Sequence, residues 1–492
     1  MKDALRLLGR DAVVYGLAGG VSRFVKVLLV PIVAKAYPAA VYGVFDSLGV
    51  YGYLAAIAAV LGLDSAVVLF VRPRTEDPAG RGGAATQALV MTAGAGIAVG
   101  LVVVAGRHLW SALLLGSDDF AASIAWAGAA VPFSALLIFA LSLLKWEFRR
   151  GWFLMASLGS VVVSILLTWV VAFHTSYGLP GLFAASLCGQ AAGAAIALRG
   201  CRGLFGRVTR FDMARPMLAI GLPFAVIGVA ASLTPSIDRF FIVRAHSLAD
   251  AGLYGVGQKI AALMALVLSG FQAAWGPFAI GMRDAPERNQ VFRRVLLLVT
   301  VWGVALATML SFAAPRIAVV AATAEYGGAG AVVAPLALSA VLGAVYFIVS
   351  IGAFFEGRSL RNLAAYLAGV GVTLALDVAF TSAGAPPVAI AWANCGGQAA
   401  AVVCMAVLAH RVHPIPFPYA TTAAAIGAGA ALATLAARAA PALGLPALAS
   451  LLLATAVTFG LVTWFAIFQP AERRAIQALR RVPRAPGRIP RQ

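Results

Sequence analysis

RAHSLADAGLYGVGQKIA, residues 244–261, echoes AKAYPAAVYGVFDSLG, residues 34–49. Each places a basic residue and an alanine at the end of one apolar run, and a Tyr-Gly-Val at the start of the next. The offset is about 210 residues and covers six apolar runs. An even number of crossings preserves direction through a bilayer. The pair therefore predicts parallel repeats related by an axis along the membrane normal, with a cavity between them.

The composition around these segments agrees. Of 492 residues, 62% are hydrophobic and only 11% charged, and mean hydropathy is +0.94. No soluble surface is built from such a mixture, so the bilayer is the solvent. The net charge of +19 is spread between apolar runs rather than gathered on one domain, which sets nucleic acid aside as a partner. The four cysteines lack the spacing of a zinc site or a disulfide framework. No metal or other cofactor is expected.

A run of about 20 apolar residues is needed to cross the hydrocarbon. Fourteen such runs can be laid along the chain, at about 12–36, 47–71, 84–105, 120–144, 151–173, 180–198, 216–243, 252–280, 294–314, 331–355, 362–381, 386–409, 419–438 and 447–468. The opening charged segment runs into an apolar stretch interrupted by Arg23 and Lys26, so a retained first span is expected rather than a cleaved signal peptide. With the N-terminus inside, the cytoplasmic segments hold 28 Lys and Arg and the outer ones about five. That asymmetry predicts cytoplasmic termini. The expected class is an all-α polytopic membrane protein: a six-helix lobe at 1–200, a second at 201–410, two further helices at 411–468 and a basic tail at 469–492. The tail would be drawn to anionic inner-leaflet lipid.

No loop exceeds roughly 17 residues, too few for a soluble catalytic domain. Phosphate-loop, HExxH and GxSxG motifs are absent. Function must therefore lie in polar groups between helices. A charge at the bilayer centre costs roughly 2.5–3.5 kcal/mol on insertion scales and needs a reason. Arg23 and Lys26 share a stripe about 120° wide with Gly16, Gly19 and Gly20, as cavity-lining, anion-binding cations would. Ser232, Ser236 and Arg239 share a face of the seventh span while Asp238 points elsewhere. Gln258, Lys259, Ser269 and Gln272 form a polar seam on the eighth. Gln190 in the sixth span, and Asn394 with Gln398 in the twelfth, are read as polar cavity lining or interhelical hydrogen bonds. Asp64, Asp238 and Asp377 are taken as the carboxylates well inside spans, as ion-coupling or ion-pair candidates.

DRFFIVRAHSLADAGLYGVGQKIAALM (Asp238 to Met264), FQAAWGPFAI (Phe271 to Ile280), YPAAVYGVFDSLG (Tyr37 to Gly49) and LGLDSAVVLFV (Leu61 to Val71) carry a resemblance to a known family. They are similar to the polysaccharide-exporter branch of the multidrug/oligosaccharidyl-lipid/polysaccharide (MOP) flippase superfamily. The chain has Ala-Tyr-Pro where that branch often has Leu-Gly-Pro. The resemblance implies a MATE-like, Wzx-type flippase of the bacterial inner membrane, with two six-helix lobes around a cationic cavity and two additional C-terminal helices. The cargo it implies is an undecaprenyl-diphosphate-linked oligosaccharide for O-antigen, exopolysaccharide or capsule. Arg23, Lys26, Arg239 and Lys259 would hold the anionic headgroup. No covalent bond need change, so a transporter acting as a monomer is expected rather than an enzyme, beside possible polymerase or glycosyltransferase partners. The alternatives are a cation-coupled multidrug antiporter, a peptidoglycan lipid-precursor flippase, or an accessory subunit of a polysaccharide synthase. A membrane-embedded glycosyltransferase would require a carboxylate or His facing a long external loop, and no such loop is present.

Overall fold

A computed structural model describes residues 28–71, 78–206, 211–355 and 359–464. The described residues contain α-helices and short 3-10 turns and no strand. In chain order the helices are α1 (Leu29–Ala36), α2 (Ala39–Val60), α3 (Leu63–Ala66), α4 (Val68–Val71), α5 (Pro78–Ala105), α6 (Arg107–Leu115), α7 (Ala121–Trp146), α8 (Arg150–His174) and α9 (Gly178–Cys201). They continue with α10 (Ala214–Ala245), α11 (Leu248–Gly281), α12 (Arg288–Ala321), α13 (Val333–Val349), α14 (Ile351–Phe355), α15 (Ser359–Ser382), α16 (Val388–His410), α17 (Tyr419–Ala439) and α18 (Leu445–Val462).

Thirteen segments among the described residues are long and apolar enough to cross a bilayer. The chain is a multi-pass membrane protein. Of the fourteen expected spans, the first lies mostly outside the described residues and only its end, α1, is seen.

The second span is corrected. Expected at 47–71, it is α2 at Ala39–Val60. Tyr37 precedes Pro38 and is extended, as a residue before proline favours, so the helix begins directly after the proline. It ends because Leu61 and Gly62 both take positive φ, at 56° and 68°; the short α3 and α4 complete the segment. In the second of the two segments quoted at the outset, Ser247 caps α11 by accepting the Asp250 amide at 3.0 Å. Helices α11 and α12 are 34 residues each, longer than a bilayer requires.

Within the first half α7 packs against α2, α5 and α9, and α9 against α8. Within the second, α13 packs against α11, α12 and α16, and α15 against α16. The halves meet where α2 crosses α10 and α11, so the two segments quoted at the outset lie against each other. The crossing is close because both helices present glycine. A Cβ on Gly43 would press on the Leu248 carbonyl and stand 2.8 Å from the Gly252 nitrogen, and one on Gly252 would press on the Ala39 carbonyl. Buried Tyr42 packs edge-on to buried Tyr326 at 5.9 Å, and the Ala39 amide donates to Glu325 Oε1 at 3.2 Å. Helices α17 and α18 lean on α12 and α13, away from this crossing.

Candidate functional site

A cavity of about 510 Å3 opens beside the crossing. Its walls are α1, α2, α7, α8 and α9, closed by α10 and α11. Small residues leave the room: Gly49, Ala127, Ala130 and Ala231 line it. Between them stand neutral polar groups, Ser134, Ser160, Ser164, Thr168, Ser186, Gln190 and Ser232. Gln190 Nε2 donates to Ser186 Oγ at 3.0 Å within α9. Among the described lining residues charge enters at one place, where Asp46 of α2 faces Lys259 of α11.

Asp46 divides its carboxylate between two cations. Oδ1 accepts from Lys259 Nζ at 2.7 Å. Oδ2 accepts from Arg239 of α10, at 2.5 Å from Nη2 and 3.1 Å from Nε. Arg239 also donates to Gln258 Oε1 at 2.6 Å, and its guanidinium lies 4.9 Å from the centre of the Tyr254 ring. The side chains of Arg239 and Asp46 are 0% and 4% exposed, that of Lys259 32%. The carboxylate fits because Gly255 bares the α11 backbone; a Cβ there would stand 2.7 Å from Asp46 Oδ2. Desolvating such a cluster costs energy that close pairing offsets. Removing one partner costs roughly 3–5 kcal/mol.

A second acidic cluster lies on the neighbouring face of α10, with Tyr254 touching both. Asp238 Oδ2 accepts from Tyr254 Oη at 2.7 Å and from Asn394 Nδ2 at 3.2 Å. Ser339 Oγ donates to Asn394 Oδ1 at 2.7 Å. Asp377 of α15 is buried within electrostatic reach of Asp238. Neither of its carboxylate oxygens, nor Asp238 Oδ1, has a hydrogen-bond partner among the described residues. Buried carboxylates without donors require a proton or a cation beside them.

The residues expected from sequence divide among these places. Arg23 and Lys26 lie outside the described residues. Lys259, Gln190 and Ser232 line the cavity. Arg239 does not line it as expected: its side chain is sealed behind Asp46. Gln258 likewise serves Arg239, and Ser236 donates to the Ser232 carbonyl at 3.0 Å within its own helix. Asn394 and Gln398 border a separate pocket of about 20 Å3 with Thr234 and Thr373, not the main cavity. Gln272 is half-buried far along α11 and lines neither pocket. Asp64 sits in α3, beyond the cavity wall.

The residue sequence reasoning missed is Asp46. Starting the second span at 47 put Asp46 in a loop, whereas α2 begins eight residues earlier and carries it two turns into the helix. The signal was present in Pro38, which marks a helix start.

The sequence profile described as polysaccharide biosynthesis protein matches residues 38–315, from the start of α2 into the last third of α12. No curated protein matches significantly in sequence. Among solved structures the fold is similar to a lipid II flippase, MurJ, in an inward-closed conformation, at 11% identity and a TM-score of 0.74 over 92% of this chain and 99% of that one. It is similar to an inward-facing multidrug resistance MATE family transporter of the MOP superfamily, at 15% identity and 0.65 over 82% and 95%. An outward-facing MATE structure matches at 15% and 0.59 over 85% and 96%.

Proposed function

The chain belongs to the polysaccharide biosynthesis protein family, and from that premise we propose that it is a Wzx-type flippase. Its cargo in this reading is an undecaprenyl-diphosphate-linked oligosaccharide, moved from the cytoplasmic to the periplasmic leaflet of a bacterial inner membrane. The observation that carries the reading is the cavity's division of labour among its described lining residues: one charged corner where Lys259 meets Asp46, and otherwise neutral hydroxyl, amide and apolar groups. A diphosphate is anionic and cannot cross apolar lipid unaided, while a glycan asks for many neutral hydrogen-bond partners. The MOP-type fold supports transport without a bond being made or broken.

In this reading residues 1–200 and 201–410 form two lobes that rock about the α2–α11 crossing, with both termini cytoplasmic and the 469–492 tail on anionic lipid. Arg23 and Lys26 join Lys259 at the headgroup. The sugars lie along Ser160, Ser164, Ser186 and Gln190. Asp238 and Asp377 take the coupling cation or proton that their missing donors call for. The protein works as a monomer that hands its cargo to a polymerase or glycosyltransferase.

The test is translocation of a fluorescent undecaprenyl-diphosphate oligosaccharide in proteoliposomes. Wild type is expected to flip it, and Lys259→Gln and Arg23→Ala/Lys26→Ala to lose at least about tenfold in rate at matched insertion. Wild-type rates equal to protein-free vesicles would overturn the reading. The likeness to MurJ supports one second reading, transport of the peptidoglycan precursor. Lipid II competing better than the oligosaccharide substrate in the same assay would select it.

A further inference from the structure

Asp46 is an anion placed where the proposed cargo's anion must go. Its two oxygens are not equivalent. Oδ2 is anchored by two donors of Arg239, which is fully buried. Oδ1 holds Lys259, whose side chain is 32% exposed and lines the cavity. Two cations share one carboxylate, so the corner carries one uncompensated positive charge in a low-dielectric wall. Arg239 Nη1 has no hydrogen-bond partner among the described residues, a second sign of cationic capacity left over. Lysine's ammonium is a compact charge on a flexible stem and can change partners without moving its helix.

We propose that Asp46 is a competing internal anion: a diphosphate headgroup binds by drawing Lys259 from Asp46 Oδ1 onto a phosphoryl oxygen. The inference rests on the flippase reading and deepens it. Asp46 is on α2, Arg239 on α10 and Lys259 on α11, so the exchange removes an ionic tie between α2 and α11 at their crossing. Headgroup binding thereby loosens the contact between the halves, and an uncharged lipid does not. Selectivity for a doubly charged headgroup follows, because the ligand has to outcompete a carboxylate already 2.7 Å from the ammonium.

The test is equilibrium binding of farnesyl diphosphate, with farnesol as the uncharged control, to the full-length protein in detergent. The informative variant is Asp46→Asn/Arg239→Gln, which removes the internal anion together with its buried partner and leaves the corner's net charge of +1 unchanged, now carried by Lys259 alone. It is expected to bind the diphosphate at least about tenfold tighter than wild type. In proteoliposomes it should lower both the half-saturating cargo concentration and the maximal flipping rate, a split that a purely structural pair would not produce. Gly255→Ala changes no charge and crowds the carboxylate, so it should shift the affinity the same way by about two- to fivefold. It decides the matter if the double variant elutes as aggregate. Equal affinity in wild type and variants, with Lys259→Gln still weakening binding, would overturn the competing-anion role and leave the flippase reading standing. A monodisperse wild type that binds no diphosphate would overturn both.

Discussion

Two acidic clusters flank α10, and they are built to opposite rules. Around Asp46 each carboxylate oxygen meets a cation at 2.7 Å or less, and the chain supplies its own compensation. Among the described residues the donors around Asp238 and Asp377 are a tyrosine and an asparagine, both on Asp238, while both oxygens of buried Asp377 go without. Successive residues, Asp238 and Arg239, face the two clusters because neighbours on a helix point about 100° apart. The lesson is that a buried charge satisfied from within holds structure together, whereas one left short invites a partner from outside.

The largest expected effect comes from breaking the satisfied cluster alone. Asp46→Ala strands Arg239, and should cost roughly 3–5 kcal/mol, read as a lowered thermal midpoint in detergent or outright loss of monodisperse protein. Asp377→Asn should do the reverse of this: the midpoint holds or rises, since an unpaired carboxylate is removed, while flipping loses its dependence on an imposed cation or proton gradient. A destabilised Asp377→Asn with gradient dependence intact would erase the contrast between the clusters.

Packing at the crossing comes next. Gly43→Ala must push the α11 backbone, whose Gly252 nitrogen would be 2.8 Å from the new Cβ. A loss of about 1–3 kcal/mol is expected from overpacking, again as a lower thermal midpoint, and Gly49→Ala, which meets nothing within 4 Å, should be nearly silent. Tyr254→Phe removes one of the two donors to Asp238 and should cost about 1 kcal/mol. If the cluster binds a cation, it should also weaken the cation-induced rise in thermal midpoint. The smallest effect is expected at the neutral wall. Gln190→Ala should leave stability within about 0.5 kcal/mol and raise the half-saturating concentration of glycan cargo several-fold without touching farnesyl diphosphate binding.

Apolar runs are long and their ends well punctuated, so the described spans after the second fall within several residues of expectation, with α11 and α12 longer than a crossing requires. The second span slid because Tyr42, Asp46 and Ser47 dilute its first turns, and an apolar window prefers the stretch after them. That slide hid Asp46. Helix phase sufficed to separate Asp238 from Arg239, and to put Gln190, Ser232 and Lys259 on polar faces. It could not say what Arg239 would meet, since its partner is 193 residues away on a helix whose phase was misplaced. Nor could phase distinguish Ser236, turned to its own backbone, from Ser232 at the cavity.

In the proposed function the cavity corner at Lys259 receives an anionic lipid headgroup. Its most direct test is a structure of the protein with a short-chain polyprenyl-diphosphate oligosaccharide bound. A phosphoryl oxygen is expected within about 3 Å of Lys259 Nζ, with sugars along the α8–α9 hydroxyls and the 2.7 Å contact between Lys259 and Asp46 lengthened. A diphosphate bound elsewhere, with that contact unchanged, would contradict it.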